Sequence, residues 1–142
     1  MRPCKFRVLH NKRCKVIVNL QNLTFAFGES SWGTSRLIMA ESVFEKLLGD
    51  KLSGKNGDVK TADIEGEGKT VGLYFSAHWC PPCRGFTPKL AEFYKKHHGE
   101  KKFEIVFVSS DKNEHEFQEY YGQMPWLALP FSDRNKKVSL SL

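Results

Sequence analysis

A pair of cysteines separated by two prolines constrains the fold of this chain most, because it lies between segments of different periodicity. The segment before the pair, Val71–Ser76, is largely apolar, as in a buried strand. After Cys80 and Cys83, apolar residues recur at the spacing of an amphipathic helix: Phe86, Leu90, Phe93 and Tyr94. A strand that passes through a short cysteine-bearing turn into a helix is typical of the first half of a βαβ unit.

The chain from residue 39 onward continues this alternation. We predict helices at 43–48, 81–99 and 113–121, strands at 58–64, 71–76 and 103–108, and a turn over 53–58. Gly49 and Gly122 follow two of the helices and are typical helix terminators. Alternation at these lengths predicts an α/β domain built from βαβ units around a parallel sheet.

The net charge of +6 is confined to one end of the chain. Residues 1–38 carry seven Lys or Arg and one acid, Glu29, whereas the remaining residues carry 15 of each sign. A basic arm can bind nucleic acid or an anionic surface, but no aromatic or arginine-rich recognition motif accompanies it, so no specific nucleic-acid partner is expected. The apolar runs are far shorter than the ~20 residues that cross a bilayer, so no membrane span is expected.

The length of 142 residues, 40% of them hydrophobic, suits one small domain. Because Met39-Ala40-Glu41 reads like a protein start, we predict a basic N-terminal extension over residues 1–38 and a domain over residues 39–142. The extension is expected to be disordered or to form a hairpin over Val16–Phe27. It lacks the long apolar stretch of a secretory signal and is β-prone, so mitochondrial import is a lesser alternative to a cytoplasmic location.

The cysteine pair has the spacing of a redox site. Unpaired N–H groups at a helix N-terminus favour an anion, so we expect the pKa of Cys80 to lie below the ~8.5 of free cysteine and its thiolate to be a nucleophile. Cys83, one turn further on the same face, can attack the mixed disulfide that Cys80 forms. Pro81 and Pro82 fix φ in the first turn, which restrains the two sulfurs.

Other roles for the pair fit less well. A zinc site needs two more ligands, and Cys4 and Cys14 are poorly spaced for that, so no metal is expected. Haem attachment needs a His after the second cysteine, where this chain has Arg84. A structural disulfide across two residues would add little stability. Dithiol redox chemistry is the favoured interpretation.

The segment from Phe75 to Tyr94, FSAHWCPPCRGFTPKLAEFY, resembles the active-site segment of the thioredoxin superfamily. The CPPC motif followed by Arg84, with VFVSS, EYYG and PWLALPFSD further on, is similar to the tryparedoxin/nucleoredoxin branch. The resemblance covers about residues 43–137 and implies a thioredoxin-like fold. It also implies that Cys80 attacks, that Cys83 resolves, and that the flanking residues are Trp79, Pro81, Pro82 and Arg84.

Two departures from the family's pattern accompany this resemblance. Many thioredoxins have a buried Asp where this chain has Tyr74, a poor base with a reference pKa of about 10, so we name no general base. The family fold also continues into a strand preceded by a cis-proline, another strand and a closing helix, whereas the last proline here is Pro130. We therefore expect an incomplete thioredoxin-like fold, as in a truncated isoform.

An incomplete sheet would leave one edge of the strand at Val71–Ser76 unpaired, which favours aggregation. One hypothesis is that the hairpin at Val16–Phe27 covers this edge.

Three further residues have simpler expectations. Arg84 either steers acidic partners or is merely solvated. We expect His78 to be an exposed loop histidine rather than a group that tunes the Cys80 thiolate, and Trp126 to belong to the core.

These features predict a protein-disulfide reductase that works through a mixed disulfide. We expect disulfide-containing protein substrates and an upstream dithiol or reductase as partners. The chain has no flavin or nucleotide fingerprint, so no bound cofactor is expected and NADPH would supply electrons only through a partner. The alternative is a catalytically weak, redox-sensitive binding module. The expected location is the cytoplasm, with the nucleus implied by the resemblance.

Overall fold

The computed structural model describes residues 5–10, 13–15, 43–65, 69–99 and 103–136, which form a mixed sheet with helices packed on it. The strands are β1 (Lys5–His10), β2 (Arg13–Lys15), β3 (Lys51–Gly54), β4 (Gly57–Lys60), β5 (Thr70–Ser76), β6 (Phe103–Ser109) and β7 (Leu127–Ala128). The α-helices are α1 (Val43–Leu48), α2 (Pro81–His97) and α3 (Glu114–Tyr121), and 3-10 helices span Thr61–Ile64 and Phe131–Asp133. The strand order is β2-β1-β5-β6-β7-β3-β4.

The centre of the sheet is the parallel βαβ unit that the sequence predicts. β5 and β6 pair in parallel from Thr70 opposite Phe103 to Ser76 opposite Ser109, with α2 as the crossover. β7 continues the parallel part on the far side of β6. Because elements cover both faces, β5 and β6 are buried along almost their whole length, which explains their apolar sequences.

The segment after α1 differs from the sequence prediction. β3 and β4 form an antiparallel hairpin across a two-residue turn, where the pattern predicts a turn over 53–58 and a strand over 58–64. Leu52 is the one fully buried residue of β3, so the strand has almost no apolar signal. Gly57 adopts φ 120° directly after the turn, a conformation that favours glycine. Residues 61–64 then form a 3-10 helix, in which the Thr61 hydroxyl donates to the Gly49 carbonyl.

The edge of β5 that the sequence prediction leaves open is covered. β1 pairs antiparallel with β5, from Lys5 opposite Phe75 to His10 opposite Thr70, and β2 pairs with the outer edge of β1. The expectation of an unpaired edge is therefore wrong, because the basic arm itself supplies the neighbouring strand. The predicted covering hairpin, Val16–Phe27, lies outside the described residues.

Alternate residues of β5 and β6 enter two separate cores, as the strand period of two requires. Tyr74 and Phe107 face the core beneath α2 and α3, where Trp126, only 1% exposed, confirms its predicted core position. Leu73 and Val106 face the opposite core, beneath α1 and the β3–β4 hairpin. Across the described ranges, no helix has the length and apolar character that a membrane span requires.

Candidate active site

The cysteine pair lies where the central strand passes into the central helix. β5 ends at Ser76 and α2 begins at Pro81, so four residues, 77–80, connect the two. This connection is compact, because the Cys80 N–H donates to the Ala77 carbonyl at 3.2 Å. The two elements therefore fix both ends of a short loop that presents Cys80 at the carboxyl edge of the sheet.

Cys80 and Cys83 are joined as a disulfide, with their Cα atoms 5.3 Å apart. That separation lies within the ordinary range for disulfides. Both residues are buried, but Cys80 is 8% exposed and Cys83 only 2%. Cys80 is therefore the more accessible of the two, which agrees with its predicted attacking role.

The sequence of α2 places a donor where Cys80 can use it. Cys80 is the N-cap residue, with an extended backbone, and Pro81 and Pro82 occupy the first helical positions. Since neither proline has an N–H, the first backbone amide inside the helix belongs to Cys83. That is the position which an N-cap side chain ordinarily contacts. We expect this amide and the helix dipole to favour a Cys80 thiolate once the disulfide is reduced.

The flanking residues lie on the outer side of the pair. Trp79 is 53% exposed and is the one large hydrophobic side chain among the described residues that is so exposed. Its indole Nε1–H donates to the Ser110 carbonyl at 3.2 Å, which fixes the ring beside the loop. Arg84 is also exposed. The structure thus brings together the six residues that the resemblance singles out, while their roles stay predictions.

A buried carboxylate lies behind the loop. Asp111 is 5% exposed, and its Oδ1 accepts the His78 backbone N–H at 2.6 Å. Its Oδ2 accepts the Ser109 hydroxyl at 2.7 Å. The half-buried His78 ring packs near the Tyr120 ring, with 5.9 Å between centroids. The expectation of an exposed loop histidine is therefore wrong, since its backbone N–H is bonded and its ring is half-buried.

A network of buried hydroxyls links the start of α2 to the sheet and α3. The Thr87 hydroxyl donates to the Cys83 carbonyl at 2.9 Å and lies 2.6 Å from the Tyr120 hydroxyl and 2.9 Å from that of Tyr74. Tyr120 in turn lies 2.8 Å from the Ser76 hydroxyl. Each of these four side chains is at most 3% exposed, so the network is shielded from water.

Tyr74 is a donor in this network and not a base. Its hydroxyl donates to the Cys83 carbonyl at 3.3 Å. Burial raises the pKa of Tyr74 far above its ordinary value near 10, so the hydroxyl stays protonated. This agrees with the sequence argument that Tyr74 does not deprotonate Cys83.

Sequence reasoning missed Asp111, Thr87 and Tyr120. A signal for Asp111 was present, because it lies two residues after the end of the apolar strand β6 and the carboxyl ends of parallel strands meet at one edge of a sheet. Thr87 and Tyr120 gave no comparable signal, since each is one polar group within an amphipathic helix. Their partnership is visible only once α2 and α3 are packed together.

A separate cleft of about 280 Å³ lies away from the dithiol. It is lined by the β3–β4 turn, by Trp126 and by Glu104 near the start of β6. Because Cys80 lies beyond the carboxyl end of β5, which runs parallel to β6, the cleft is at the opposite end of the sheet.

Comparison with known proteins agrees with this geometry. Residues 68–141 match the family model described as thioredoxin-like. Tryparedoxin from Trypanosoma brucei brucei is 62% identical over 84 residues, which cover 59% of this chain and 57% of that protein. Nucleoredoxin from Danio rerio is 54% identical over 114 residues, covering 80% of this chain and 25% of that protein. The chain thus spans less than two thirds of the length of these curated relatives.

Solved tryparedoxin structures are similar to this chain in their three-dimensional fold as well. Tryparedoxin from Trypanosoma brucei superposes with a TM-score of 0.65 at 55% identity, over 69% of this chain and 68% of that chain. Tryparedoxin II complexed with glutathionylspermidine gives a TM-score of 0.64 at 44% identity, over 70% of each chain. The predicted thioredoxin-like fold is confirmed over this part. On its sequence and its architecture, the chain belongs to the thioredoxin-like family, with tryparedoxins and nucleoredoxins as its relatives.

Proposed function

We propose that this chain is a thiol–disulfide oxidoreductase of the protein-disulfide reductase type, with Cys80 and Cys83 as its catalytic pair. The observation that carries the proposal is the disulfide between these residues, at the N-terminus of the helix that follows a central strand. Membership of the thioredoxin-like family and likeness to tryparedoxins and nucleoredoxins support the same class of chemistry.

The reaction begins with the reduced pair. The Cys80 thiolate attacks one sulfur of a substrate disulfide, that S–S bond breaks, and one substrate sulfur leaves as a thiolate. The other stays bound to Cys80 in a mixed disulfide. Cys83 then loses its proton and attacks the Cys80 sulfur, which releases the second substrate thiolate. Two electrons have passed to the substrate, and the Cys80–Cys83 disulfide remains.

The proton of Cys83 leaves without a dedicated base in this proposal. Tyr74, at the position where many thioredoxins carry an Asp, has a raised pKa and keeps its proton. The departing substrate thiolates are bases, so they accept the proton directly or through water. The resolving step should therefore depend on pH through the cysteines themselves.

A thiol partner returns the pair to its reduced form. The complex of tryparedoxin II with glutathionylspermidine supports a glutathione-type thiol as the donor class. No nucleotide or flavin takes part at this site in the proposal, and NADPH would act only through a partner reductase.

The exposed Trp79 and Arg84 beside the pair suit a protein substrate that has an apolar or acidic segment near its disulfide. We place this activity in the cytoplasm, with the nucleus as the alternative.

A single-turnover assay tests the proposal. The chain is reduced, freed of reductant and mixed with insulin, whose disulfides serve as the substrate. We expect transfer by the native sequence, none by Cys80→Ser, and a mixed disulfide trapped by Cys83→Ser that mass spectrometry detects. Cys14→Ser, a matched change in the arm, should transfer as the native chain does.

The competing function is a redox-sensitive binding module with little catalytic turnover. The low exposure of both cysteines favours it, because an incoming disulfide must reach the Cys80 sulfur. If the folded native chain transfers no electrons to insulin, and Cys83→Ser traps no adduct, the enzymatic proposal is overturned in favour of this module.

A further inference from the structure

The segment that follows β6 holds the loop before Cys80 at three points. The Ser110 N–H donates to the Ser76 carbonyl at 2.8 Å, where β5 ends. The Ser110 carbonyl accepts the Trp79 indole N–H at 3.2 Å. The Asp111 carboxylate accepts the His78 backbone N–H at 2.6 Å, the shortest of the three distances. Asp111 is thus the side-chain member of this attachment.

Asp111 is itself held firmly. Its Oδ2 accepts the Ser109 hydroxyl at 2.7 Å, while the Ser109 oxygen accepts the Asp111 backbone N–H at 2.9 Å. This reciprocal pair fixes the carboxylate, which is 95% buried at the residue level. Both groups that donate to its oxygens are neutral. A buried carboxylate held by neutral donors carries a cost of desolvation, which its hydrogen bonds offset.

The position of the loop matters for the chemistry of Cys80. A thiolate gains from the α2 dipole and from the Cys83 amide only while its sulfur is held at the helix end, since such effects fall off within one turn. Within residues 77–80, the Cys80 N–H donates to the Ala77 carbonyl, and the His78 N–H donates to the Asp111 carboxylate.

We propose that Asp111 is a positioning residue for Cys80. By accepting the His78 N–H, it holds the loop so that the Cys80 thiolate forms at the N-terminus of α2. The role concerns the hydrogen bond and not the charge, because a nearby carboxylate charge on its own disfavours a thiolate. The importance of Asp111 for electron transfer rests on the proposed function. The effect of Asp111 on the Cys80 thiolate does not depend on that function.

Two substitutions separate these contributions. Asp111→Asn keeps an oxygen that accepts the His78 N–H but removes the charge, whereas Asp111→Ala removes both. We expect Asp111→Ala to lower the reactivity of Cys80 at neutral pH on the order of tenfold, because small displacements of a reacting group have large effects on rate. Asp111→Asn should stay within about threefold of the native chain or exceed it. Asp63→Ala, at an exposed carboxylate of the 3-10 helix, is the matched control.

The measurement is the rate of alkylation of Cys80 by iodoacetamide as a function of pH. A background of Cys4→Ser, Cys14→Ser and Cys83→Ser leaves Cys80 as the one thiol. In this background, Asp111→Ala should shift the midpoint of the rate–pH profile to higher pH, and Asp63→Ala should leave it in place. Native behaviour of Asp111→Ala would overturn the proposal. An equal loss in Asp111→Asn would also overturn it, since the charge would then be responsible.

If Asp111→Ala fails to fold, as judged by its near-UV circular dichroism, Ser109→Ala decides the matter. That variant frees Oδ2 but keeps the carboxylate, so we expect a smaller loss of reactivity in the same direction, and no loss would contradict the proposal. Alkylation needs neither a substrate disulfide nor an electron donor. A native chain that is alkylated rapidly but reduces no insulin would therefore count against the proposed function and leave the role of Asp111 intact.

Discussion

The central strand β5 has two neighbours of very different origin. On one side, β6 pairs with it in parallel over seven residues, and both strands lie within the segment that matches the thioredoxin-like family. On the other side, β1 pairs with it antiparallel over six residues and comes from the basic arm, outside that segment. The same strand, which leads into Cys80, is thus stabilised by one conventional partner and one unexpected partner.

The difference shows what an apolar strand requires of its surroundings. β5 is buried along almost all of its length, so its N–H and C=O groups need partners on both edges. That requirement follows from its sequence, but the identity of the partner does not. β6 follows β5 through the α2 crossover, which brings it back parallel to β5. β1 has no comparable local cause, because its pairing depends on a segment more than 50 positions away in the chain.

The largest expected effect comes from removing the unexpected neighbour. Deletion of residues 1–15 removes β1 and β2 and exposes the backbone of β5 along one edge, so we expect aggregation or loss of the folded state. Size-exclusion chromatography and thermal unfolding monitor this. A deletion variant that stays monomeric and as stable as the full chain would show that β1 adds nothing to the fold.

A point substitution refines the same prediction. Val8 pairs with Gly72 of β5 on one side and with Lys15 of β2 on the other. Val8→Pro removes a strand N–H from the middle of this ladder and should destabilise the chain markedly. Val8→Ile keeps the N–H and the β-branched shape, so it should stay near native stability. Equal behaviour of the two variants would argue against the pairing.

The next largest expected effect on stability comes from β6, the parallel neighbour of β5. Phe107 of β6 is fully buried and packs against the rings of Tyr74, Phe117 and Tyr120. Phe107→Ala should lower the free energy of unfolding by about 3–5 kcal/mol, through lost burial and the cavity left behind. Phe107→Leu, which fills most of that volume, should cost clearly less. Urea unfolding measures both, and a loss below about 1 kcal/mol in the alanine variant would contradict the described core.

The contrast between the two neighbours also explains how far the sequence predicts the fold. Strands β5 and β6 and helices α2 and α3 follow from apolar periodicity, because each presents a long apolar face to the cores. The short strand β3 escapes prediction, since its pairing with β4 and β7 rests on backbone bonds rather than on apolar pattern. The cysteine pair follows from its spacing. Asp111 has a weaker signal, its place just after β6, and its bond to the His78 N–H is visible only in the folded chain.

A smaller effect is expected in the hydroxyl network that ties β5 and α2 to α3. Tyr120→Phe keeps the ring but leaves the Thr87 and Ser76 hydroxyls without this partner, so we expect a loss of about 1–3 kcal/mol in unfolding free energy. In a Thr87→Val background the same change should cost less, because the two groups act together. Strict additivity of the two substitutions would contradict a coupled network.

The smallest effect is a dependence on alkaline pH. Burial raises the pKa of Tyr121 to about 12, and its hydroxyl donates to the carbonyls of Ser53 and Trp126. The folded state then holds its proton more tightly than the unfolded state, whose tyrosine pKa is near 10. The associated stability is fully present below pH 10 and is lost as pH rises towards 12. Tyr121→Phe should flatten this decline in urea midpoints between pH 10 and 12. An unchanged slope would count against a contribution from Tyr121.

The central claim is that this fold tunes the chemistry of Cys80 and Cys83. A redox titration of the pair, read by alkylation and mass spectrometry in native buffer and in denaturant, tests it most directly. We predict a native potential within the roughly −120 to −270 mV span of dithiol oxidoreductases and clearly shifted from the value in denaturant. Identical potentials in the two conditions would contradict the claim, because the motif would then behave as it does in an unfolded chain.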